Sequence, residues 1–282
     1  MNTHGLRGPA LALVVGLLMT TGAAGQTSPP ASPPVTPPSA SEPEKPEFKL
    51  VLEPNAMELL KVTSARLAAA KAMSFTAVAG YEYPSRLEPP IVYSVRYDVT
   101  MRRPDKLRIV VPGDGPASEF YYDGKSMMAY APKEDLVAIG NAPPTIEATL
   151  KEAYKSAAIF YPFMDLLVDD PYVALTEGAT LAFYIGTSEV VDGIKTDMVA
   201  WADDDVFLQI WIGVDDKLPH RVRAVYSADP QRLRHELELS NWRIDPTLAP
   251  DAFASQKAQA GKHIAFANPA VAPPPGVKPL VK

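Results

Sequence analysis

The chain has 282 residues, a formal net charge of −6 and no cysteine. Without cysteine there can be no disulfide, no Cys-ligated zinc and no thiol nucleophile. The acidic balance excludes the basic face that nucleic acid demands, and equally excludes attachment to anionic lipid headgroups by charge.

Residues 1–25 have the three parts of an export signal. Arg7 supplies positive charge, Pro9 to Met19 form an apolar stretch, and Thr21-Gly22-Ala23-Ala24-Gly25 form a small-residue run. Cleavage after Ala24 or after Gly25 suits that run equally. The apolar stretch is short of the roughly 20 residues that a membrane-spanning helix needs. Lipidation would need a cysteine at the cleavage point, so the mature chain is expected to be soluble, with no stable membrane anchor. Residues 26–47 carry eight prolines, with Val35 the one large apolar residue among them. Such a segment cannot bury enough surface to offset its ordering entropy and is expected to be a disordered tether. The Pro-rich tail 267–282 reads the same way. The folded domain is therefore expected over 48–266, long enough to hold a core without disulfides.

Glu53-Pro54-Asn55 reads as a helix start, and Ala56, Leu59, Leu60, Thr63, Leu67 and Ala70 recur at helical spacing to about Ala72. Strands follow. Met73, Phe75, Ala77, Ala79, Tyr81 and Tyr83 alternate with smaller or polar residues, and Tyr93 to Met101 and Leu107 to Val111 keep the same period. Phe120-Tyr121-Tyr122 runs into Asp123-Gly124, a hairpin turn, then Met127 to Ala131 and Leu136 to Ile139. After Pro143-Pro144 the period changes: Thr145 can cap a helix with Ile146, Leu150, Ala153 and Tyr154 on one face. A second short helix is expected through Leu166 and Leu167 toward Leu175. Strands resume at Leu181 and continue to Trp242, with Asp- and Gly-containing turns between them. No βαβ alternation occurs, so a curved antiparallel sheet with helices lying on it fits better than a doubly wound sheet.

Chemical motifs are sparse. Gly124-Lys125-Ser126 resembles the end of a phosphate loop, but the required upstream glycine is Glu119 and the loop leads into a strand. His220, His235 and His263 are far apart and form no zinc pattern, and Asp203-Asp204-Asp205 lacks the spacing of a calcium loop. No cofactor or metal is expected. Asp165 and Asp169 are spaced i,i+4 and could do acid–base work as a hydrolase pair; Asp169-Asp170-Pro171 equally reads as helix capping. What the strands do carry is apolar bulk on both faces, as in Phe207-Leu208-Gln209-Ile210-Trp211-Ile212. One face would meet helices and the other could line a cavity, for which thioethers and aromatic rings are suited; a plain two-layer core is the other reading.

Several stretches together resemble a known family. They are Arg103-Pro104-Asp105-Lys106-Leu107-Arg108, Tyr122-Asp123-Gly124-Lys125, Pro144-Thr145-Ile146-Glu147, Pro162-Phe163-Met164-Asp165-Leu166-Leu167, Gln209-Ile210-Trp211-Ile212, Leu218-Pro219-His220-Arg221, and Trp242. In order and spacing the chain resembles a group of bacterial periplasmic proteins of unassigned function in the lipoprotein-carrier-like superfamily. The resemblance implies a periplasmic protein with an α+β, mostly β fold: an unclosed barrel of about eleven antiparallel strands, its concave face covered by an N-terminal helix and mid-chain helices. It also implies a cavity for a lipid or acyl chain. Carried over by position, the candidates are Phe75, Tyr97, Phe120, Tyr122, Met127 and Trp211, with Leu150, Tyr154, Phe160 and Phe163 as the cover. A non-catalytic carrier or sensor is the function so implied. The alternatives are a regulator that binds an envelope protein through its sheet surface, and the hydrolase on Asp165 and Asp169.

Overall fold

The computed structural model describes residues 51–268, apart from 88 and 114. The expected export signal, the expected 26–47 tether and the tail from residue 269 lie outside the described residues. Helix α1 (Pro54–Ala69) opens with proline in its first turn. It ends before the expected Ala72, because that residue already belongs to β1 (Ala72–Tyr83). There follow β2 (Ile91–Arg102), β3 (Lys106–Val111), β4 (Ser118–Tyr122), β5 (Ser126–Ala131) and β6 (Leu136–Asn141). Helix α2 (Ile146–Ala157) begins where expected, with the Thr145 hydroxyl accepting from the Ala148 N–H at 3.2 Å.

The segment after α2 differs from expectation. Instead of one helix toward Leu175 there is a 3₁₀ turn (Met164–Leu166), a break, and a separate helix α3 (Pro171–Thr176). Asp170 causes the restart: its carboxylate accepts from the N–H groups of Tyr172 and Val173, both at 3.1 Å, while Pro171 takes the first helical position. Strands β7 (Leu181–Ser188), β8 (Thr196–Ala202), β9 (Val206–Gly213), β10 (Pro219–Tyr226) and β11 (Arg234–Ile244) complete the second meander. A short helix α4 (Gln256–Gln259) and strand β12 (Lys262–Ile264) end the described chain.

All twelve strands form one sheet in the order β12-β6-β5-β4-β3-β2-β1-β11-β10-β9-β8-β7. Its two ends do not pair, so the barrel is unclosed. Eleven strands are antiparallel, as expected; β12 is an addition, lying parallel to β6. The two meanders meet along β1 and β11, with Ala79 opposite both Leu237 and Val95. The β7 edge is covered by the chain entering α1, where Glu53 N–H donates to Ala182 O at 2.8 Å and Ala182 N–H to Val51 O at 2.9 Å.

The inner face holds the main core. Phe75, Ala77 and Ala79 of β1, Val99 and Met101 of β2, and Ile109, Phe120, Tyr122 and Met127 pack there against Ile146, Leu150 and Ala153 of α2 and against Phe163 to Leu167. On the same face Ala56 and Leu60 of α1 meet Val199, Trp201, Ile210 and Ile212. Helices and cavities thus share one face, whereas the apolar bulk on both sides of the strands had suggested opposite faces. The outer bulk has another cover: Tyr121, Met128, Tyr130 and Val137 pack under Ala258 of α4. A segment whose contribution is one alanine has almost no hydrophobic pattern to announce it.

Candidate functional site

The 143–170 segment is a lid tied to the β2–β3 turn. Arg103 Nη1 donates to Leu167 O and to Asp169 Oδ1, both at 3.1 Å. Pro104 O accepts from Ile146 N–H at 3.0 Å. Pro143 O accepts from the hydroxyls of Tyr122 at 2.5 Å and Thr149 at 3.2 Å. Under the lid the rings interlock: Phe163 meets Phe75 edge-on at 5.6 Å and Tyr97 at 5.3 Å, and stacks on Tyr161 at 5.8 Å. Such pairs favour edge and offset geometries that fix ring positions.

Two cavities flank this ring cluster. The larger, about 550 Å³, lies over β2–β6 and is lined by Val95, Tyr97, Val111, Phe120, Ala138 and Phe266, among others. The smaller, about 310 Å³, lies over β1 and β8–β11 and is lined by Tyr81, Trp201, Leu208, Val222, Tyr226 and His235, with Phe163 to Leu166 above it. Phe160 and Tyr161 line both. Sites for small ligands run from about 300 to 1,000 Å³, so each cavity can hold a chain or a head group.

The sequence candidates divide into four groups. Tyr97 and Phe120 line the larger cavity, Phe163 the smaller, and Phe160 both. Phe75, Tyr122, Met127 and Leu150 lie in the packed inner core and border neither cavity. Tyr154 is half-buried on α2, also outside both linings. Trp211 is a correction: it points to the outer face, where the Arg221 guanidinium lies 5.7 Å from its ring. Its neighbours Ile210 and Ile212 face inward, so the position carried over from the resemblance is one residue out of phase with the inner row. Trp201, Tyr226 and His235 were missed. Of these, His235 sat visibly in phase with Leu237 and Leu239 on a strand whose inner row is apolar.

The helical spacing behind the paired-carboxylate reading is absent. Asp165 and Asp169 do not share a helix, and Asp169 is exposed and engaged by Arg103. Asp165 stands apart: its Oδ1 is sealed from solvent and finds no hydrogen-bond partner among the described residues. Burial alone pushes its carboxyl up to about 6 from an ordinary 3.8. Burial raises the Tyr81, Tyr161 and Tyr226 hydroxyls and lowers the His235 imidazole, so these groups stay neutral around pH 7. His235 packs edge-on between Tyr81 and Tyr226, at 5.5 and 5.2 Å.

The remaining motifs are structural. Asp123 Oδ1 accepts from the N–H groups of Lys125 and Ser126 at 2.9 and 2.8 Å, which closes the Gly124-Lys125-Ser126 loop as a hairpin turn. Asp203 Oδ1 does the same for Asp205 and Val206 at 2.7 Å. His220 Nε2 bonds Asp216 Oδ2 at 3.0 Å. Among the described residues no three His, Asp or Glu side chains gather as metal ligands, and no helix is long and apolar enough to cross a membrane.

No curated protein matches the chain. Among solved structures, the lipoprotein LppX of Mycobacterium tuberculosis is similar at 15% identity, covering 70% of this chain and 99% of that one with a TM-score of 0.43. LprF of Mycobacterium bovis is similar at 17% identity, covering 72% and 99% with a TM-score of 0.42. A LolA superfamily protein of Nitrosomonas europaea is similar at 9% identity, covering 71% and 97% with a TM-score of 0.35. The family model described as "Predicted periplasmic protein (DUF2092)" matches residues 56–267, nearly the whole described domain. The chain belongs to this DUF2092 family of periplasmic proteins.

Proposed function

We propose that this protein shelters an apolar chain, from a lipid or a lipoprotein acyl group, against the inner face of its half-barrel, and carries or senses that chain without transforming it. The observation that supports this reading is the pair of cavities, about 550 and 310 Å³, separated by Phe160 and Tyr161 under a lid held by a few polar ties. Each buried CH₂ contributes about 0.8 kcal/mol, so the walls supply affinity without a charged ligand. In this reading residues 1–25 direct export, 26–47 form a tether, 48–266 form the carrier domain and 267–282 a free tail. Denaturing mass spectrometry of gently purified protein is expected to release a co-purified lipid. A fluorescent long-chain probe with an uncharged head is expected to bind. Failure of both experiments overturns the proposal.

A second reading, a regulator that binds an envelope protein, draws on the end of the β1–β2 hairpin. Tyr83, Leu87, Ile91, Val92 and Tyr93 are all exposed there. A contiguous apolar patch on a soluble domain commonly marks an interaction surface. Here the polar substitutions Val92→Ser and Tyr93→Ser would abolish capture of a partner yet leave probe binding intact.

A further inference from the structure

The smaller cavity is not uniformly apolar. Asp165 Oδ1 is shielded from solvent without a hydrogen-bond partner, and Trp201 Nε1 on the opposite wall is likewise unpartnered. Both residues line the cavity. The β-side of the cavity offers the carboxylate no cation: Tyr81 on β1, Tyr226 on β10 and His235 on β11 are neutral around pH 7. The other ionisable groups lining it are acidic: Glu177 after α3, Asp203 and Asp205 in the β8–β9 turn, and Glu236, which alternates with His235 along β11. No Lys or Arg is among the lining residues. An isolated carboxylate facing a cavity is costly unless a cation meets it, and acidic neighbours increase that cost.

We propose that the smaller cavity takes the head of a cationic amphiphile, a protonated amine on an apolar body, with Asp165 as its counter-charge. This rests on the binding function proposed above and adds to it the chemistry of the head. The apolar body runs past Phe160 toward the larger cavity. The geometry favours an ammonium over a carboxylate strongly: the first gains a charge-assisted hydrogen bond in a sheltered site, the second meets Asp165 as a like charge.

The test compares three probes of equal chain length, dodecylamine, dodecanol and dodecanoic acid, by calorimetry on the purified protein at pH 7.5. The amine is expected to bind at least tenfold tighter than the alcohol, and the acid weakest. In Asp165→Asn the amine should fall to the level of the alcohol. A second measurement needs no variant: amine affinity in the native protein should fall as the pH drops through about 6, where Asp165 takes up its proton. Equal affinity for amine and alcohol, or an amine preference that survives both the substitution and acidification, overturns the cationic head and leaves the binding function standing. Failure of all three probes to bind overturns both.

Discussion

Asp165 should make the stability of the unliganded protein fall as the pH rises, the reverse of the usual carboxylate. Burial lifts its folded-state value to about 6 from an ordinary 3.8. The folded chain therefore holds this proton more tightly than the unfolded chain. Its contribution is most favourable below pH 3.8, declines between 3.8 and about 6, and above that the whole cost of burying a charge is present. At 1.36 kcal/mol per pKa unit that cost is about 3 kcal/mol. Asp165→Asn removes the charge while keeping size and shape. The variant should gain on the native protein by about 2.4 kcal/mol between pH 4 and pH 7.5, as read from urea unfolding of both proteins at each pH. Taking the difference cancels every other titrating group. A difference constant across that range would refute the reasoning, because it would mean that Asp165 is hydrated or paired in the folded state.

Phe163→Ala should destabilise by about 3–5 kcal/mol, the range for deleting a fully buried ring, whereas Phe160→Ala, half-buried between the cavities, should cost less than half as much by the same unfolding assay. Arg103→Ala removes the ties to Leu167 and Asp169 and should cost about 1–3 kcal/mol, with amide exchange rising in residues 163–170 before it rises in the sheet. Tryptophan emission should respond to a bound probe through Trp201: the response should vanish in Trp201→Phe and persist in Trp211→Phe, whose ring lies on the outer face under Arg221. Gly124→Ala should destabilise by about 1–3 kcal/mol in thermal unfolding, since φ there is +89° and a Cβ would press against the Asp105 carboxylate.

The elements that could be read from the sequence were those with one wet face. In β1 the alternation of Met73, Phe75, Ala77 and Ala79 gave both the strand and its inward row. Thr145 likewise fixed the start of α2. Where both faces are apolar, the period vanishes and the phase cannot be read. In β9 this is why Trp211 was assigned inward and the inward residues Leu208 and Ile210 were passed over. The same ambiguity hid the sharing of one face by helices and cavities, which depends on α4 covering the other. Asp165 was noticed, but for its spacing to Asp169 along a helix that Asp170 and Pro171 interrupt. Its isolation is a tertiary property: strands β10 and β11, far along the chain, bring it neutral groups and no cation.

The strand order also separates what forms early from what must wait. Within each meander every strand pairs with its sequence neighbour, so β1–β6 and β7–β11 are built from local contacts. The β1–β11 seam, the β6–β12 pairing and the bridge from the chain before α1 to β7 join distant segments. The smaller cavity straddles that seam, taking Tyr81 from one side and Val222, Tyr226 and Leu237 from the other, and its roof is the very stretch of chain that links the two meanders. The larger cavity lies over the first meander alone, whereas the smaller one takes walls from both. The smaller cavity is therefore complete only once the two sequence halves have docked, and any ligand that fills it fastens those halves together.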